Sequence, residues 1–483
     1  MVIDALKYQI LQQFGFVPTE EQGQALDAFA RFLTDRDPHA VMILCGSAGT
    51  GKTSLSGAIV RTLKAIRQKV MLLAPTGRAA KVFSLNSGCP AYTIHRRIYR
   101  EKSFAGVDGQ FNLNDNLFTD TLFMVDEASM ISNLGLGGGN FGSGCLLDDL
   151  VRFVYQGHND RLMLIGDKAQ LPPVGEEESP ALNRMMLEGY GLKVYECDLN
   201  EVLRQSQESG ILYNATVIRQ MITHDDITQL PLIRFKGFAD IVMMPGNELV
   251  ESLANSYYRV GQDETMVITR SNKRANIYNN GIRNMVLDRE DELSCGDMLM
   301  IVKNNYFWTE KERNEAKEAL NAIPPFLANG DRAKVLRVSR HMELYGFRFA
   351  TLLLQFPDYD NYEMSVTALL DTLQSEAPAL THEQQEQLFH GVEEDYQDVP
   401  LKADRMKAIR GDQYFNALQV KYAYAITCHK AQGGQWEHVY VDQGYMTDDM
   451  LTPDYIHWLY TAFTRAKDKL FLVNWPKTQT EQA

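Results

Sequence analysis

The sequence predicts an α/β fold built on parallel, doubly wound sheets. Four short apolar runs occur in the first half of the chain, at residues 41–45, 70–74, 121–125 and 162–165. The first run leads directly into the glycine-rich pattern G-x-x-x-x-G-K-[ST] at residues 46–53, and the third ends in the acidic pair Asp126 and Glu127. Buried strands that alternate with helical stretches indicate a parallel sheet with its ligand at the carboxyl ends of the strands.

Length and charge limit the kinds of protein that the chain can be. Its 483 residues exceed the usual size of one domain and predict several compact units. Hydrophobic residues at 45% and charged residues at 23% are typical of globular proteins and exclude disordered or collagen-like chains. The formal net charge of −14 excludes a globally basic surface, so a nucleic acid would have to bind in a local channel.

The cysteines and apolar segments predict a cytoplasmic protein. The 6 cysteines lie far apart without a Cys-x-x-Cys pair, so neither a zinc site nor an iron–sulfur cluster is predicted. The N-terminal segment lacks the uninterrupted apolar core of a signal peptide. No apolar run approaches the length of about 18 residues that a membrane span requires.

The glycine-rich pattern predicts a phosphate loop that binds ATP. Its glycines let backbone N–H groups converge on phosphate oxygens, while Lys52 reaches the β- and γ-phosphates and the Thr53 hydroxyl binds Mg²⁺. Residues 54–63 are predicted to form a helix whose N-terminus faces the same anion. The predicted ATP contacts of this segment are Gly46, Ala48, Gly49, Thr50, Gly51, Lys52, Thr53 and Ser54.

The acidic pair at the end of the third apolar run predicts hydrolysis of the bound nucleotide. Asp126 is predicted to hold the Mg²⁺, and Glu127 to orient and polarise the attacking water. Small-molecule kinases share the phosphate loop but need no glutamate that activates water. The pair therefore favours an ATP hydrolase.

Three further side chains are predicted to complete the catalytic site. Gln170 follows the fourth apolar run and is placed to sense the γ-phosphate. Arg204 and Arg465 would approach the triphosphate from different domains and stabilise transition-state charge only when the cleft between them is closed. Closure is therefore predicted to be coupled to hydrolysis.

In the order of its motifs, the sequence resembles the superfamily 1 helicases, and among them the RecD-like branch that moves 5′ to 3′. The matching segments are residues 19–22, 46–53, 74–80, 93–95, 126–129, 166–174, Arg204, 425–433 and 460–466. The resemblance implies an ATP-dependent DNA helicase that translocates on single-stranded DNA and unwinds duplex at forks or junctions. It further implies that Gln22 reads adenine and that Gly433 contacts ATP. Gly434 and Gln435 stand where family members often have an acidic residue, so no ribose contact is assigned there.

The resemblance also implies a division of the chain into two RecA-like motor domains with two insertions. The first motor domain is predicted at residues 1–204, with a pin-like insertion at about 83–117. The second is predicted at residues 205–300 and 415–483, interrupted by an SH3-like β domain at 301–414. The glycine-rich segment at residues 135–144 is interpreted as a flexible surface loop.

A path for the nucleic acid across both motor domains follows from the same motifs. The residues predicted to contact it are Pro75, Thr76, Arg78, His95, Asn272, Thr427 and His429. Contacts to the backbone of a strand carry little sequence information, so sequence-independent binding is expected. Trp308 and Trp436 are candidates for stacking on bases, although burial is the simpler interpretation of both.

Two other functions remain open at this point. An RNA helicase or remodelling translocase of the same superfamily would carry the same motifs, because backbone contacts do not fix the sugar. A nucleotide-switched scaffold would bind partners and hydrolyse ATP slowly, without any effect of single strands.

Overall fold

The computed structural model describes residues 2–104, 109–135, 142–201, 208–224, 227–315, 323–324 and 326–481. Two features singled out in the sequence lie outside these ranges. They are Arg204 and the centre of the glycine-rich segment, residues 136–141.

The N-terminal unit is built on a six-stranded parallel sheet. Its strands are β1 (Ala40–Gly46), β2 (Lys69–Ala74), β3 (Ala91–Thr93), β6 (Thr121–Val125), β7 (Arg161–Gly166) and β8 (Lys193–Leu199). Their order in the sheet is β3-β2-β6-β7-β1-β8. Strands β1, β6 and β7 are buried along their whole length, as expected of parallel strands that are covered on both faces.

Within its described residues, the N-terminal unit also contains seven α-helices and one hairpin. The helices are α1 (Val2–Phe14), α2 (Glu20–Thr34), α3 (Lys52–Ala65), α4 (Gly77–Ser87), α5 (Ile94–Ile98), α6 (Leu146–Gln156) and α7 (Arg184–Gly189). Strands β4 (Tyr99–Phe104) and β5 (Gly109–Leu113) form an antiparallel hairpin within the segment predicted as a pin-like insertion. A role of this hairpin as a strand-separating pin stays a prediction.

The C-terminal unit is built on a second parallel sheet. Its strands are β9 (Ile241–Met244), β10 (Thr265–Thr269), β16 (Ala425–Thr427), β17 (Trp436–Asp442) and β18 (Ala466–Val473), in the order β16-β10-β17-β18-β9. Its helices are α8 (Gly210–Thr223), α9 (Leu249–Arg259), α10 (Asn272–Gly281), α14 (Cys428–Ala431) and α15 (Pro453–Phe463). The predicted α/β class with two RecA-like parallel sheets is confirmed.

A closed five-stranded barrel is inserted into the C-terminal unit. Its strands are β11 (Met298–Ile301), β12 (Arg332–Leu344), β13 (Phe347–Phe356), β14 (Tyr362–Leu369) and β15 (Leu418–Tyr422). Helices α11 (Phe307–Glu315), α12 (His382–Asp395) and α13 (Lys402–Arg410) lie in its connections. Strand β15 and all of β11 except Ile301 lie outside the predicted range 301–414, so the barrel extends beyond that range at both ends. The limits of the domains stay predictions. No helix in the described ranges is long and apolar enough to cross a membrane.

Candidate nucleotide site and strand path

The phosphate loop connects β1 to α3 with the geometry that an anion site needs. Gly49 and Gly51 have positive φ angles of 79° and 78°, a conformation that residues with a side chain rarely adopt. Nζ of Lys52 donates a hydrogen bond to the Gly46 carbonyl oxygen at 2.7 Å. Thr53 and Ser54 are exposed at the start of α3. The predicted phosphate contacts are thus together at the carboxyl edge of the sheet.

Gln22 supports the phosphate loop from α2. Its side-chain oxygen accepts from the Thr19 amide at 3.0 Å, and its side-chain nitrogen donates to the Thr50 carbonyl oxygen at 2.8 Å. The residue is buried, with 1% of its surface exposed. Both ends of the amide are therefore engaged in holding the loop, and the reading of adenine by Gln22 stays a prediction.

The acidic pair lies at the end of β6, next to the loop. Burial raises the pKa of Asp126 to about 7, the charge of Glu127 adds to this rise, and the Lys52 ammonium group opposes it. Glu127 has a φ of 52°, a left-handed conformation that is costly for a residue with a side chain and is concentrated at functional sites. Carboxylate oxygens are among the ligands that Mg²⁺ prefers, and the strand end carries two carboxylates side by side.

Gln170 lies in the turn after β7, with its side-chain oxygen inside the protein. The residue is buried, and its Oε1 has no hydrogen-bond partner in the described part of the chain. Since buried polar atoms are nearly always paired, this atom fits a donor supplied by a bound molecule, such as the attacking water. The turn is held by Asp167, whose Oδ1 accepts from the Ala169 amide at 3.0 Å.

Arg465 follows α15 and is bound within the C-terminal unit. Its guanidinium donates to the Thr461 carbonyl oxygen at 3.0 Å, to the Gly434 carbonyl oxygen at 3.2 Å and to the Thr464 hydroxyl at 3.1 Å. Contact with a transition state would require release of these bonds, and that role of Arg465 stays a prediction. Gly433 is packed so closely on α4 that a Cβ atom there would lie 3.0 Å from Cβ of Ala79. Its contact with ATP stays a prediction.

Side chains of α15 and the loop after α14 cross the cleft to the N-terminal unit. The Tyr460 hydroxyl accepts from the Ala48 amide at 3.1 Å and donates to Oδ2 of Asp167 at 2.6 Å. The turn that carries Gln170 is contacted three more times, by His457 at the Ala169 oxygen, Thr461 at the Leu171 amide and Gln432 at the Leu171 oxygen. None of these four residues was predicted as a site residue, although Gln432, Tyr460 and Thr461 lie within the matched segments 425–433 and 460–466. The spacing of His457, Tyr460 and Thr461 on one helix face was the available signal.

Arg78 lies at the junction of the two units rather than on an open surface. Its guanidinium stacks on the Trp436 ring, 4.3 Å from the centroid, and donates to the Gln435 carbonyl oxygen at 3.2 Å. Burial lowers the pKa of Arg78 to about 10. Trp436 is 1% exposed and Trp308 is 4% exposed, which confirms burial as the interpretation of both tryptophans.

The two histidines on the predicted strand path are neutral at neutral pH. Burial lowers the pKa of His95 to about 4, and it also lowers the pKa of His429, where the Asp454 carboxylate opposes the effect. Neither side chain therefore offers a positive charge to a phosphate. Thr76 caps α4 by accepting from the Ala79 amide at 3.2 Å, and Thr427 precedes α14.

Oxygen atoms of the barrel accept hydrogen bonds from Asn272 of this path and from two lysines that lie close to path residues in the sequence. Nζ of Lys81 donates to the Pro357 carbonyl oxygen at 3.2 Å, and Nδ2 of Asn272 donates to the Glu376 carbonyl oxygen at 3.1 Å. Lys430, in the segment that precedes Gln432, donates to Oδ1 of Asn329 at 2.5 Å. The barrel thus contacts donors on both units.

A glycine allows the barrel to approach the N-terminus of α4. A Cβ atom on Gly77 would lie 2.9 Å from Oδ1 of Asp331 and 3.0 Å from Cβ of Ala328. Oδ2 of Asp331 accepts from the Ala328 amide and the Tyr359 hydroxyl, each at 2.7 Å. Burial raises the pKa of Asp331 to about 7 despite these bonds.

Asp331→Asn is expected to stabilise the protein increasingly as the pH rises from 5 to 7. The pKa of this carboxyl is about 7 in the folded chain against an ordinary value of 3.8, so folding is opposed wherever the unfolded carboxyl is ionised. The free energy by which this carboxyl opposes folding grows with pH up to its folded pKa, by roughly 2 kcal/mol between pH 5 and 7. Above that pKa it levels off. The midpoint of thermal unfolding at several pH values measures it, with the exposed Asp360→Asn as the control. Parallel pH profiles for the variant and its parent would contradict the expectation.

Comparisons with known families agree with this architecture. A AAA domain model matches residues 19–227, and a UvrD-like helicase C-terminal domain model matches residues 422–473. The chain is similar to superfamily 1 helicases. The two matched segments of the chain contain the phosphate loop and α15, which face each other across the cleft.

Proteins similar to this chain occur in distant organisms. The ATP-dependent RecD2 DNA helicase of Deinococcus radiodurans is 31% identical over 157 residues, which cover 32% of this chain and 18% of that protein. The protein MJ1519 of Methanocaldococcus jannaschii is 33% identical over 171 residues, 33% of this chain and 14% of that protein. This chain thus spans less than a fifth of the length of either relative. The mimivirus protein R530 is 22% identical over 496 residues, covering 90% of this chain and 96% of that protein.

Solved structures show a likeness at low identity. The crystal structure of the Pif1 helicase from Bacteroides in complex with ADP-AlF3 and ssDNA is 14% identical, with a TM-score of 0.48, over 97% of this chain and 95% of that one. The Pif1 helicase from Candida albicans is 16% identical, with a TM-score of 0.41, over 97% of each chain.

Proposed function

We propose that the chain is an ATP-dependent DNA helicase that moves 5′ to 3′ on single-stranded DNA and unwinds duplex at forks or junctions. The observation that carries this proposal is the cleft itself. The phosphate loop, the acidic pair and Gln170 lie on one side of it, and α15 reaches across from the other unit to the loop and to the Gln170 turn. Such a site can link hydrolysis to relative movement of the two units. We also propose a cytoplasmic location.

Each residue of the cleft has a proposed part in hydrolysis. Lys52 would bind the β- and γ-phosphates of ATP, and Thr53 with Asp126 would hold Mg²⁺, which neutralises charge on those phosphates. Glu127 would accept the proton of the attacking water, while Gln170 would orient that water through its Oε1, which has no partner among the described residues. The raised pKa of Asp126 supports the fit of a divalent cation, because a cation would offset the buried negative charge.

Arg204 and Arg465 are proposed to stabilise the charge that develops in the transition state. Arg465 is tied to the Gly434 carbonyl oxygen, which is a weaker acceptor than a phosphoryl oxygen. Exchange of the one partner for the other would accompany closure of the cleft. The catalytic step would then depend on the position of the C-terminal unit.

The choice of DNA and of direction is supported by relatives and by motif order. The matching protein of Deinococcus radiodurans is named as an ATP-dependent DNA helicase. The motifs resemble the branch that moves 5′ to 3′. The proposed strand contacts are Pro75, Thr76, Arg78, His95, Asn272, Thr427 and His429; the neutral histidines among them would contribute hydrogen bonds rather than charge.

Unwinding of forks that carry a single tail tests the proposal. With ATP and Mg²⁺, forks with only a 5′ single-stranded tail are expected to be unwound, whereas forks with only a 3′ tail stay paired. The separation of fluorescently labelled strands is the measurement, and matched DNA and RNA strands are compared as activators of ATP hydrolysis. Unwinding confined to 3′-tailed forks would contradict the direction. Equal or better activation by RNA would favour an RNA helicase, and no activation by either strand would favour the nucleotide-switched scaffold.

A further inference from the structure

Tyr460 is the side chain of α15 that joins the phosphate loop to the neighbouring turn. The residue is 1% exposed, and its hydroxyl lies between the Ala48 amide and the Asp167 carboxylate. The hydroxyl accepts from the amide at 3.1 Å and donates to the carboxylate at 2.6 Å. Both hydrogen-bonding roles of the buried hydroxyl are therefore used across the cleft, one on each of two catalytic segments.

The second partner, Asp167, extends this link to Gln170. Oδ1 of Asp167 accepts from the Ala169 amide at 3.0 Å, and its carbonyl oxygen accepts from the Gln170 amide at 3.2 Å. The carboxylate thus holds the turn with one oxygen and Tyr460 with the other. A movement of α15 is passed through these bonds to the loop at Ala48 and to the turn at Gln170.

The chemistry of the site keeps the link intact at physiological pH. Burial raises the pKa of Tyr460 well above its usual value, and the Asp167 charge adds to this rise, so the hydroxyl remains a donor. Asp167 is 2% exposed. A hydrogen bond to a buried carboxylate is short and directional, which suits it to transmit position.

We propose that Tyr460 is a positioning residue of the ATPase site, whose hydroxyl couples the placement of the C-terminal unit to the phosphate loop and to Gln170. This inference rests on the proposed function, because it concerns ATP hydrolysis that is stimulated by a strand. Tyr460 does not act on the reacting atoms; it sets where the loop and the turn stand relative to each other. Its loss should therefore uncouple the strand from hydrolysis rather than abolish the binding of ATP.

Tyr460→Phe in the full chain tests the coupling, with rates of ATP hydrolysis measured with and without a single-stranded oligodeoxythymidylate. The variant is expected to lower the strand-stimulated kcat by roughly 10-fold, as small displacements of catalytic groups do. The rate without the strand and the KM for ATP should change less than the stimulated kcat, since the hydroxyl contacts the loop at the Ala48 amide and not at Lys52 or Thr53. The ratio of stimulated to unstimulated rates is the decisive quantity.

Tyr440→Phe is the matched control. Tyr440 is also buried in the C-terminal unit, and its hydroxyl bonds to the Ser252 and Ser256 hydroxyls at 2.7 Å each, away from the cleft. Its loss removes an equally buried hydroxyl and should leave the ratio of rates unchanged. If Tyr460 had a purely structural role, both variants would have a lower midpoint of thermal unfolding and an unchanged ratio of stimulated to unstimulated rates. That outcome would overturn the proposal.

Asp167→Asn weakens the hydrogen bond between Tyr460 and Asp167 from the side of the N-terminal unit. It tests the proposal if Tyr460→Phe fails to fold. It should lower the ratio to a similar extent. Combining it with Tyr460→Phe should lower the ratio no further than the stronger single variant, because both cut one link. Additive losses, or an unchanged ratio in the folded variants, would overturn the inference while leaving the helicase proposal standing. A parent chain that no strand stimulates would overturn both.

Discussion

Glu127→Gln is expected to lower the strand-stimulated rate of ATP hydrolysis by at least about 100-fold, because an amide cannot take the proton of the attacking water. The amide has nearly the size of the carboxylate, so the substituted side chain can keep the left-handed backbone that places this position beside Asp126. Binding of ATP should stay within a few-fold of the parent, since Lys52 and the loop amides are unchanged. Unwinding of 5′-tailed forks should be lost together with hydrolysis.

Steady-state hydrolysis and equilibrium binding of a fluorescent ATP analogue separate these two effects. Glu188→Gln is a suitable control, because Glu188 is partly exposed on α7 and pairs with Arg184. It loses the same charge without touching the cleft and should behave as the parent. Normal turnover in Glu127→Gln would show that another group activates the water.

Lys52→Ala is expected to weaken the binding of ATP by roughly 10- to 100-fold, the value of a hydrogen bond to a charged group, and to reduce hydrolysis below detection. In the described structure the ammonium group lies 2.7 Å from the Gly46 carbonyl oxygen, so it is already folded over the loop that receives the phosphates. The alanine variant would leave those phosphates without their nearest cation.

Lys64→Ala provides the comparison for this variant. Lys64 lies in the last turn of the same helix, α3, and is exposed. Both variants lose one positive charge from α3, but only Lys52 lies at the phosphate loop. Equal binding and turnover in the two variants would remove Lys52 from the site.

Sequence patterns predicted the parts of the fold that depend on residues close together in the chain. The continuous apolar run of β1 predicts a strand that is buried on both faces, and the glycine-rich pattern after it predicts the loop that the structure shows. The same holds for β6 and the acidic pair. In contrast, β9 has only four residues, two of which are half-buried, and it has no counterpart among the predicted strands.

Contacts between distant segments account for what the sequence did not predict. The bond between Tyr460 and Ala48 joins residues that are 412 positions apart, and no spacing in the chain encodes it. The same is true of β11 and β15, whose apolar residues fit a sheet strand as well as a barrel strand until their partners are known. The burial of Arg78 against Trp436 also depends on how two units meet, which motif spacing does not specify.

The covalent attachment of the barrel determines which unit it moves with. Both ends of the barrel continue by peptide bonds into the C-terminal unit, so rotation of that unit carries the barrel with it. Its meeting with the N-terminal unit at Gly77 and Lys81 is noncovalent, and the partly exposed pair of Lys81 and Asp358 contributes about 1 kcal/mol or less. Gly77 has no side chain, and the hydrogen bonds of Asp331 stay within the barrel. We therefore expect the barrel to shift along α4 when the C-terminal unit moves.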